Sequence, residues 1–252
     1  MRYNLVEVHG VIFHGGDSQG PAIDVSTSTV RALRAGRVAI LVVTQVHRAG
    51  ILARAAKQVD VDGAIAAGSL IMLDAVDVID RVTSRGYPDP DRFETTIGQT
   101  IRDLAGRGAL VYAYGEAVGL LWQAGQYPAA VRLEQLWNGL ARRFSFELEC
   151  GYPIDVLGDD FEATAVDGVL RAHTHVLGGE RETRLALAID RAFGEILGGV
   201  AEATPHPNCS DPRGPWAALP RAEAAILWLK AARPDRSAEV LERAREYYGR
   251  SA

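Results

Sequence analysis

The chain is poor in cysteine, with only Cys150 and Cys209 among 252 residues. Two thiols cannot make a disulfide framework, and the plain expectation is a reducing, cytoplasmic setting. Positive charge is not in excess either. Lysine and arginine total 27 against 32 acidic residues, a net charge of -5, which argues against a broad nucleic-acid footprint. Long hydrophobic runs are missing. The longest, near Val38 to Thr44, is far too short to span a bilayer. The start, Met1 to Leu5, has no apolar core of a signal peptide, and neither end carries a lipidation motif. No membrane association is therefore expected. No Gly-x-Ser-x-Gly elbow and no Cys-x-x-Cys pair occurs, so no catalytic residues are assigned.

What is present suits a folded α/β domain. Hydrophobic residues make up 48% and charged residues 23%, enough for a sizeable core. Short apolar runs alternate with amphipathic stretches. Val8 to Phe13, Val38 to Val43, Leu70 to Leu73, Ala109 to Tyr114 and Phe146 to Cys150 read as five strands. Their near-continuous apolar character suits strands buried on both faces. Helices fit between them. Asp89-Pro90 predicts an N-cap with proline at the first helical position. Phe93, Ile97, Ile101 and Leu104 then form one stripe, stopped by Gly106 or Gly108. Pro128 opens a second helix with the stripe Leu133, Leu136, Trp137, Leu140 and Phe144, and with Arg132, Glu134, Arg142 and Arg143 off it. Val46 to Gln58 and Ser26 to Leu33 are weaker helical stretches. Alternation of strand and helix implies βαβ units and a parallel sheet.

From about Glu162 onward strand signals vanish. Ala222 to Ala232 and Ser237 to Tyr248 read as helices broken by Pro234, after a proline-rich linker from Thr204 to Pro220. The expected division is an α/β core over residues 1–178 and a helical extension over residues 179–252.

Ligands of open parallel sheets bind beyond the carboxyl ends of the strands. That rule selects His14 to Ser18, then Thr44, Gln45 and His47, then Asp74 and Asp77, then Gly115 and Glu116, then Gly151 to Pro153. The first loop, His14 to Pro21, lies where a P-loop would. It has glycines but no lysine, and Asp17 would repel phosphate. Asp74 ends a strand and reads as a helix cap rather than a magnesium ligand. Glu116 follows a buried strand and a glycine, so it either faces a ligand or caps the next helix. Trp122 lies on that helix, and its other reading is core. Cys150 ends an apolar strand and reads as a buried small hydrophobe. The pair His173-Thr174-His175 would share a face on a strand and could then bind a metal. On a helix the two rings point about 200° apart. The preceding residues read as helix, so no metal is assigned. The readings left are a histidine reaching the cleft or one stabilising a helix C-terminus.

Several segments in this order resemble the MEDS family of sensory domains. They are Val8-His9-Gly10-Val11, Arg34-Ala35-Gly36-Arg37, Thr44 with His47-Arg48, and Gly86-Tyr87-Pro88-Asp89-Pro90-Asp91-Arg92-Phe93. Then follow Tyr114-Gly115-Glu116-Ala117-Val118, Leu121-Trp122, Leu133-Glu134-Gln135-Leu136-Trp137-Asn138, Cys150-Gly151-Tyr152-Pro153 and His173-Thr174-His175-Val176. The resemblance implies a three-layer RecA/KaiC-like α/β fold without a working P-loop. It implies a mostly parallel sheet of about five or more strands, with a C-terminal helical extension. It also implies signal transduction through a small-molecule ligand, a hydrocarbon derivative, in a bacterial regulatory setting that includes transcription. Family signature positions fall on His9, Glu116, Trp122, Trp137, Cys150, Tyr152, His173 and His175.

Strand ends and resemblance together nominate His9, His14, Thr44, His47, Asp74, Tyr114, Glu116, Trp122, His173 and His175 as ligand-binding residues. No cofactor is implied. The expected partners are the small molecule, a regulatory protein and, as one means of passing the signal, a second copy of the chain. Two other readings stand beside this one: a divergent nucleotide-binding protein using Asp74 and Glu116 with magnesium, and a non-catalytic scaffold whose helical arm binds a partner.

Overall fold

The computed structural model describes residues 9–15, 21–177, 179–198 and 219–250. The loop positions 16–20, the linker up to residue 218 and Cys209 lie outside the described residues. The chain divides into two compact units, residues 1–153 and residues 154–252.

The elements of the first unit follow the expected alternation. They run β1 (His9–Phe13), α1 (Ala22–Arg34), β2 (Val38–Val43), α2 (Gln45–Ala55), α3 (Val61–Ala66), β3 (Leu70–Asp74) and α4 (Ala75–Val82). A hairpin of β4 (Thr83–Ser84) and β5 (Tyr87–Pro88) comes next. After it come α5 (Pro90–Phe93), a π-helical turn (Glu94–Gly98), α6 (Gln99–Gly106), β6 (Val111–Gly115), α7 (Ala117–Gln123), α8 (Tyr127–Ala141) and β7 (Glu147–Tyr152).

The five long strands form one sheet in the order β3-β2-β6-β7-β1, every pairing parallel. All five residues of β1 and of β6 are buried, as are the last five of β2 and of β7. That is why these segments read as continuous apolar runs rather than alternating ones. Helices cover both faces, giving a three-layer α/β fold. On one face, α1 packs against α2, and Ser28 of α1 reaches Glu149 of β7. On the other, α7 packs on β7 and α8. The approach of α7 is close: a Cβ at Gly119 would sit 2.3 Å from the Gly151 carbonyl oxygen and 2.8 Å from Pro153 Cδ.

Local signals behave as read. Asp89 caps α5, its Oδ1 accepting from the N–H groups of Asp91 (3.0 Å) and Arg92 (2.9 Å). Phe93, Ile97, Ile101 and Leu104 are all buried. Gly108 takes the left-handed conformation, φ +76°, just past the end of α6.

Four expectations are corrected. Glu134 does not lie off the buried stripe of α8 but is 1% exposed. It shares a helical face with Asn138, four residues on, and both side chains turn to the sheet. The β4–β5 hairpin was unexpected, because two-residue strands carry no periodicity. Its turn places Arg85 and Gly86 at φ +54° and +78°, the signs a two-residue type I′ connection requires. Beyond Glu162 a strand does occur, β8 (His175–Val176). Finally, the break between the last two helices falls at Arg233-Pro234 as expected, but the second helix begins at Pro234 rather than Ser237, with the proline as its first residue, where its missing N–H costs nothing.

The second unit contains α9 (Ala163–Ala172), β8, α10 (Gly179–Leu197), α11 (Arg221–Ala232) and α12 (Pro234–Arg250). The last three pack on one another around Ile189, Phe193, Ile226, Leu229, Val240 and Ala244. Lys230 Nζ, on α11, donates to the carbonyl oxygens of Gly158 (2.6 Å) and Phe161 (3.0 Å), anchoring the loop before α9. No helix among the described residues is long and apolar enough to cross a membrane.

Candidate functional site at the β2–β6 strand ends

Sheet order decides where a crevice opens. The chain leaves β2 through α2 toward β3, at the edge of the sheet, and leaves β6 through α7 toward β7, in the opposite direction. Adjacent parallel strands whose connections diverge mark a topological switch point, the place where α/β sheets bind ligands. The residues that immediately follow these two strands are Thr44 and Glu116.

The Glu116 side chain meets the Thr44 backbone there. Glu116 is 3% exposed. It stands at the start of α7 but makes no cap bond to that helix. Instead its Oε2 accepts from the Thr44 backbone N–H at 2.8 Å. Its Oε1 accepts from His47 Nδ1 at 2.8 Å and from the Tyr114 hydroxyl at 3.2 Å. Thr44 Oγ1 lies 3.1 Å from the same His47 nitrogen. Burial by itself would raise the Glu116 carboxyl pKa, but the hydrogen bonds from His47 and Thr44 outweigh it. They hold the group below its ordinary value of 4.5, so at neutral pH it is a carboxylate. Tyr114 reaches it only because Gly151, on β7, has no side chain. A Cβ there would lie 2.2 Å from the Tyr114 hydroxyl oxygen.

Two further nominated residues border this group. His14 is buried, continues the β1 ladder by donating its N–H to the Tyr152 carbonyl (2.9 Å), and sets its ring edge-on to His47 with centroids 5.4 Å apart. Asp74 is a helix cap: its Oδ1 accepts from the N–H groups of Val76 (2.9 Å) and Asp77 (3.1 Å). Its Oδ2 accepts from Gln45 Nε2 at 2.7 Å. The hydrogen bond from Asp77 is the main cause of its lowered pKa. The arrangement is a buried anion held by a histidine, a tyrosine and a backbone N–H, with Thr44 and His47 half-buried at its rim. Chemically it can accept a hydrogen bond from a ligand hydroxyl, or relay a proton between His47 and Glu116.

The remaining nominated residues lie elsewhere. Trp122 is half-buried on α7, its ring edge against Tyr127 and Tyr152 at 4.6 and 5.8 Å between centroids. His9 begins β1, at the amino end of a strand whose carboxyl end carries His14. It contacts Cys150 and Asn138. His173 and His175 belong to the second unit. His173 sits at the C-cap of α9 with Nδ1 2.6 Å from the Val169 carbonyl oxygen, the position a helix dipole favours for a histidine. His175 Nδ1 lies 3.0 Å from Thr174 Oγ1.

Two buried acids of the first unit escaped the sequence reading. Glu149, on the α1 face of β7, accepts from the Ser28 hydroxyl (3.1 Å) and the Tyr112 hydroxyl (2.7 Å), and burial pushes its carboxyl up to about 7. Glu134, on the opposite face, accepts from the Tyr152 hydroxyl at 2.7 Å. Its place inside the helical arc of Ala130, Leu133 and Trp137 was the available signal.

A search of curated proteins and of solved structures finds no match to the chain. Residues 18–174, well over half of the chain, match the family described as the MEthanogen/methylotroph, DcmR Sensory domain. With its parallel three-layer sheet, this chain belongs to the MEDS family of sensory domains.

Proposed function

We propose that the protein is a signal-transduction sensor that binds a small hydrocarbon derivative at the β2–β6 strand ends and regulates a partner protein. The observation that carries the reading is the Thr44–His47–Tyr114–Glu116 group: a buried, ionised carboxylate with a half-buried histidine at a topological switch point. Such a carboxylate accepts a hydrogen bond from an alcohol or aldehyde hydrate, and is one of the few placed polar groups by which a small-molecule site fixes its ligand. A ligand here shifts the protein's states only by as much as it prefers one of them. Family membership supports the sensory role.

The test is thermal unfolding of the full chain against small alcohols, aldehydes and halocarbons, with magnesium nucleotides run in parallel. A ligand at a hundred times its Kd adds about 2.7 kcal/mol of stability. We expect a shift with a small organic molecule that is lost in His47→Ala and weakened in Glu116→Gln. A shift confined to magnesium nucleotide would overturn the proposal in favour of a nucleotide site. No shift with any of them would overturn it in favour of a scaffold.

A further inference from the structure

On the α8 face of the sheet, polar atoms from three elements converge inside the core. His9 begins β1, Cys150 lies on β7, and Glu134 lies on α8; they are 3%, 0% and 1% exposed. The strand register explains the first two. Val11 pairs with Cys150, and alternation puts His9 on the same face as Val11. His9 Nε2 is 3.3 Å from Cys150 Sγ and 3.3 Å from Glu134 Oε2, and the last two atoms are 3.8 Å apart.

These three distances have a chemical meaning. In a tetrahedral zinc site, bonds of about 2.0–2.3 Å place nitrogen, oxygen and sulfur ligand atoms about 3.3–3.6 Å from one another. The triangle here has nearly those edges without any rearrangement of the chain.

The outer partners match as well. His9 Nδ1 lies 3.1 Å from Asn138 Oδ1. With that nitrogen donating, Nε2 presents its lone pair to the centre of the triangle. The Tyr152 hydroxyl holds Glu134 Oε1 and leaves Oε2 to the same centre. Outer hydrogen bonds that fix the tautomer of a histidine and the rotamer of a carboxylate are the usual support of metal ligands.

From this geometry we propose that His9 Nε2, Glu134 Oε2 and Cys150 Sγ bind a divalent first-row metal ion of the zinc type. Imidazole with thiolate selects such an ion over magnesium or calcium. On binding, the Cys150 S–H proton is released to solvent and the thiolate takes its place on the metal, so the ion replaces the contacts of the S–H group with Glu134 and His9. Zinc is four-coordinate, and a fourth ligand completes the shell. The site is separate from the Glu116 group and does not depend on the sensor reading.

The experiment titrates metal-depleted full chain with cobalt(II), then zinc(II). We expect stoichiometric cobalt binding with a sulfur-to-cobalt charge-transfer band, bleached by zinc. The band should persist in Cys209→Ser and disappear in Cys150→Ser. Asn138→Ala, which leaves all three ligands in place, should weaken zinc binding about 10- to 100-fold. Absence of the band in the wild-type protein overturns the proposal, whether or not any variant folds. So does its loss in Cys209→Ser, or its retention in Cys150→Ser.

Discussion

Replacing Glu116 separates what the buried carboxylate does for stability from what it does for binding. The group accepts from the Thr44 N–H, the His47 ring and the Tyr114 hydroxyl. Alanine leaves all three donors without it. Thr44 and His47 are half-buried and recover water, but Tyr114 is fully buried. An unsatisfied buried donor costs about 1–3 kcal/mol, so with the weakened rim bonds we expect Glu116→Ala to lose about 2–4 kcal/mol. Glutamine keeps one oxygen for Thr44 and turns its amide toward two groups able to reorient and accept, so about 1–2 kcal/mol is expected. The pH dependence has a definite sign. The folded carboxyl is held below its ordinary 4.5. Its contribution is therefore present above that value and is lost as pH falls through the lowered folded value. The gap between wild type and Glu116→Gln should be widest near neutrality and close in acid. Urea unfolding followed by tryptophan fluorescence from pH 3 to 7 measures it. A gap that widens on acidification, or Glu116→Ala as stable as wild type at pH 7, would refute the reasoning.

Other substitutions test the framework. Gly119→Ala should destabilise by about 1–3 kcal/mol, because its Cβ would meet the Gly151 carbonyl oxygen at 2.3 Å; thermal unfolding at the wild-type midpoint would show the contact to be slack. Gly151→Ala should be destabilising in the wild type and measurably less so in a Tyr114→Phe background, since the nearest atom is the Tyr114 hydroxyl; a double-mutant cycle without coupling would deny that contact. Arg85→Asn should stabilise by about 0.5–1 kcal/mol, because asparagine tolerates the φ of +54° that arginine holds in the hairpin turn; unchanged or lower stability would contradict this. Asp74→Ala should cost about 1 kcal/mol through the loss of its cap on α4, read by chemical unfolding.

Much of the fold was legible because it is written in local terms. Four of the five long strands read as apolar runs since they are buried on both faces, the exception being β3 at the sheet edge, and Asp89-Pro90 marked a helix start through the cap bonds that the aspartate makes. Glu134 was misplaced because helical position predicts burial only for side chains that can be buried cheaply. A carboxylate is buried only when a partner awaits it, and that partner, Tyr152, lies on a strand 18 residues away. The rule of strand ends named Thr44 and Glu116 separately. It could not say that β2 and β6 are neighbours, because 72 residues separate the Thr44 N–H from the Glu116 carboxylate that accepts its hydrogen bond.

The sequence by itself thus determined the five long strands, the main helices between them, the parallel α/β class and the set of polar residues at the strand ends, since periodicity, caps and turns depend on near neighbours along the chain. The tertiary structure alone decided which of those residues meet. Strand order β3-β2-β6-β7-β1 puts the Glu116 carboxylate on the Thr44 N–H, and strand register puts His9 beside Cys150. Both juxtapositions arise from pairing between segments far apart in the chain, for which the local pattern of either segment carries no information.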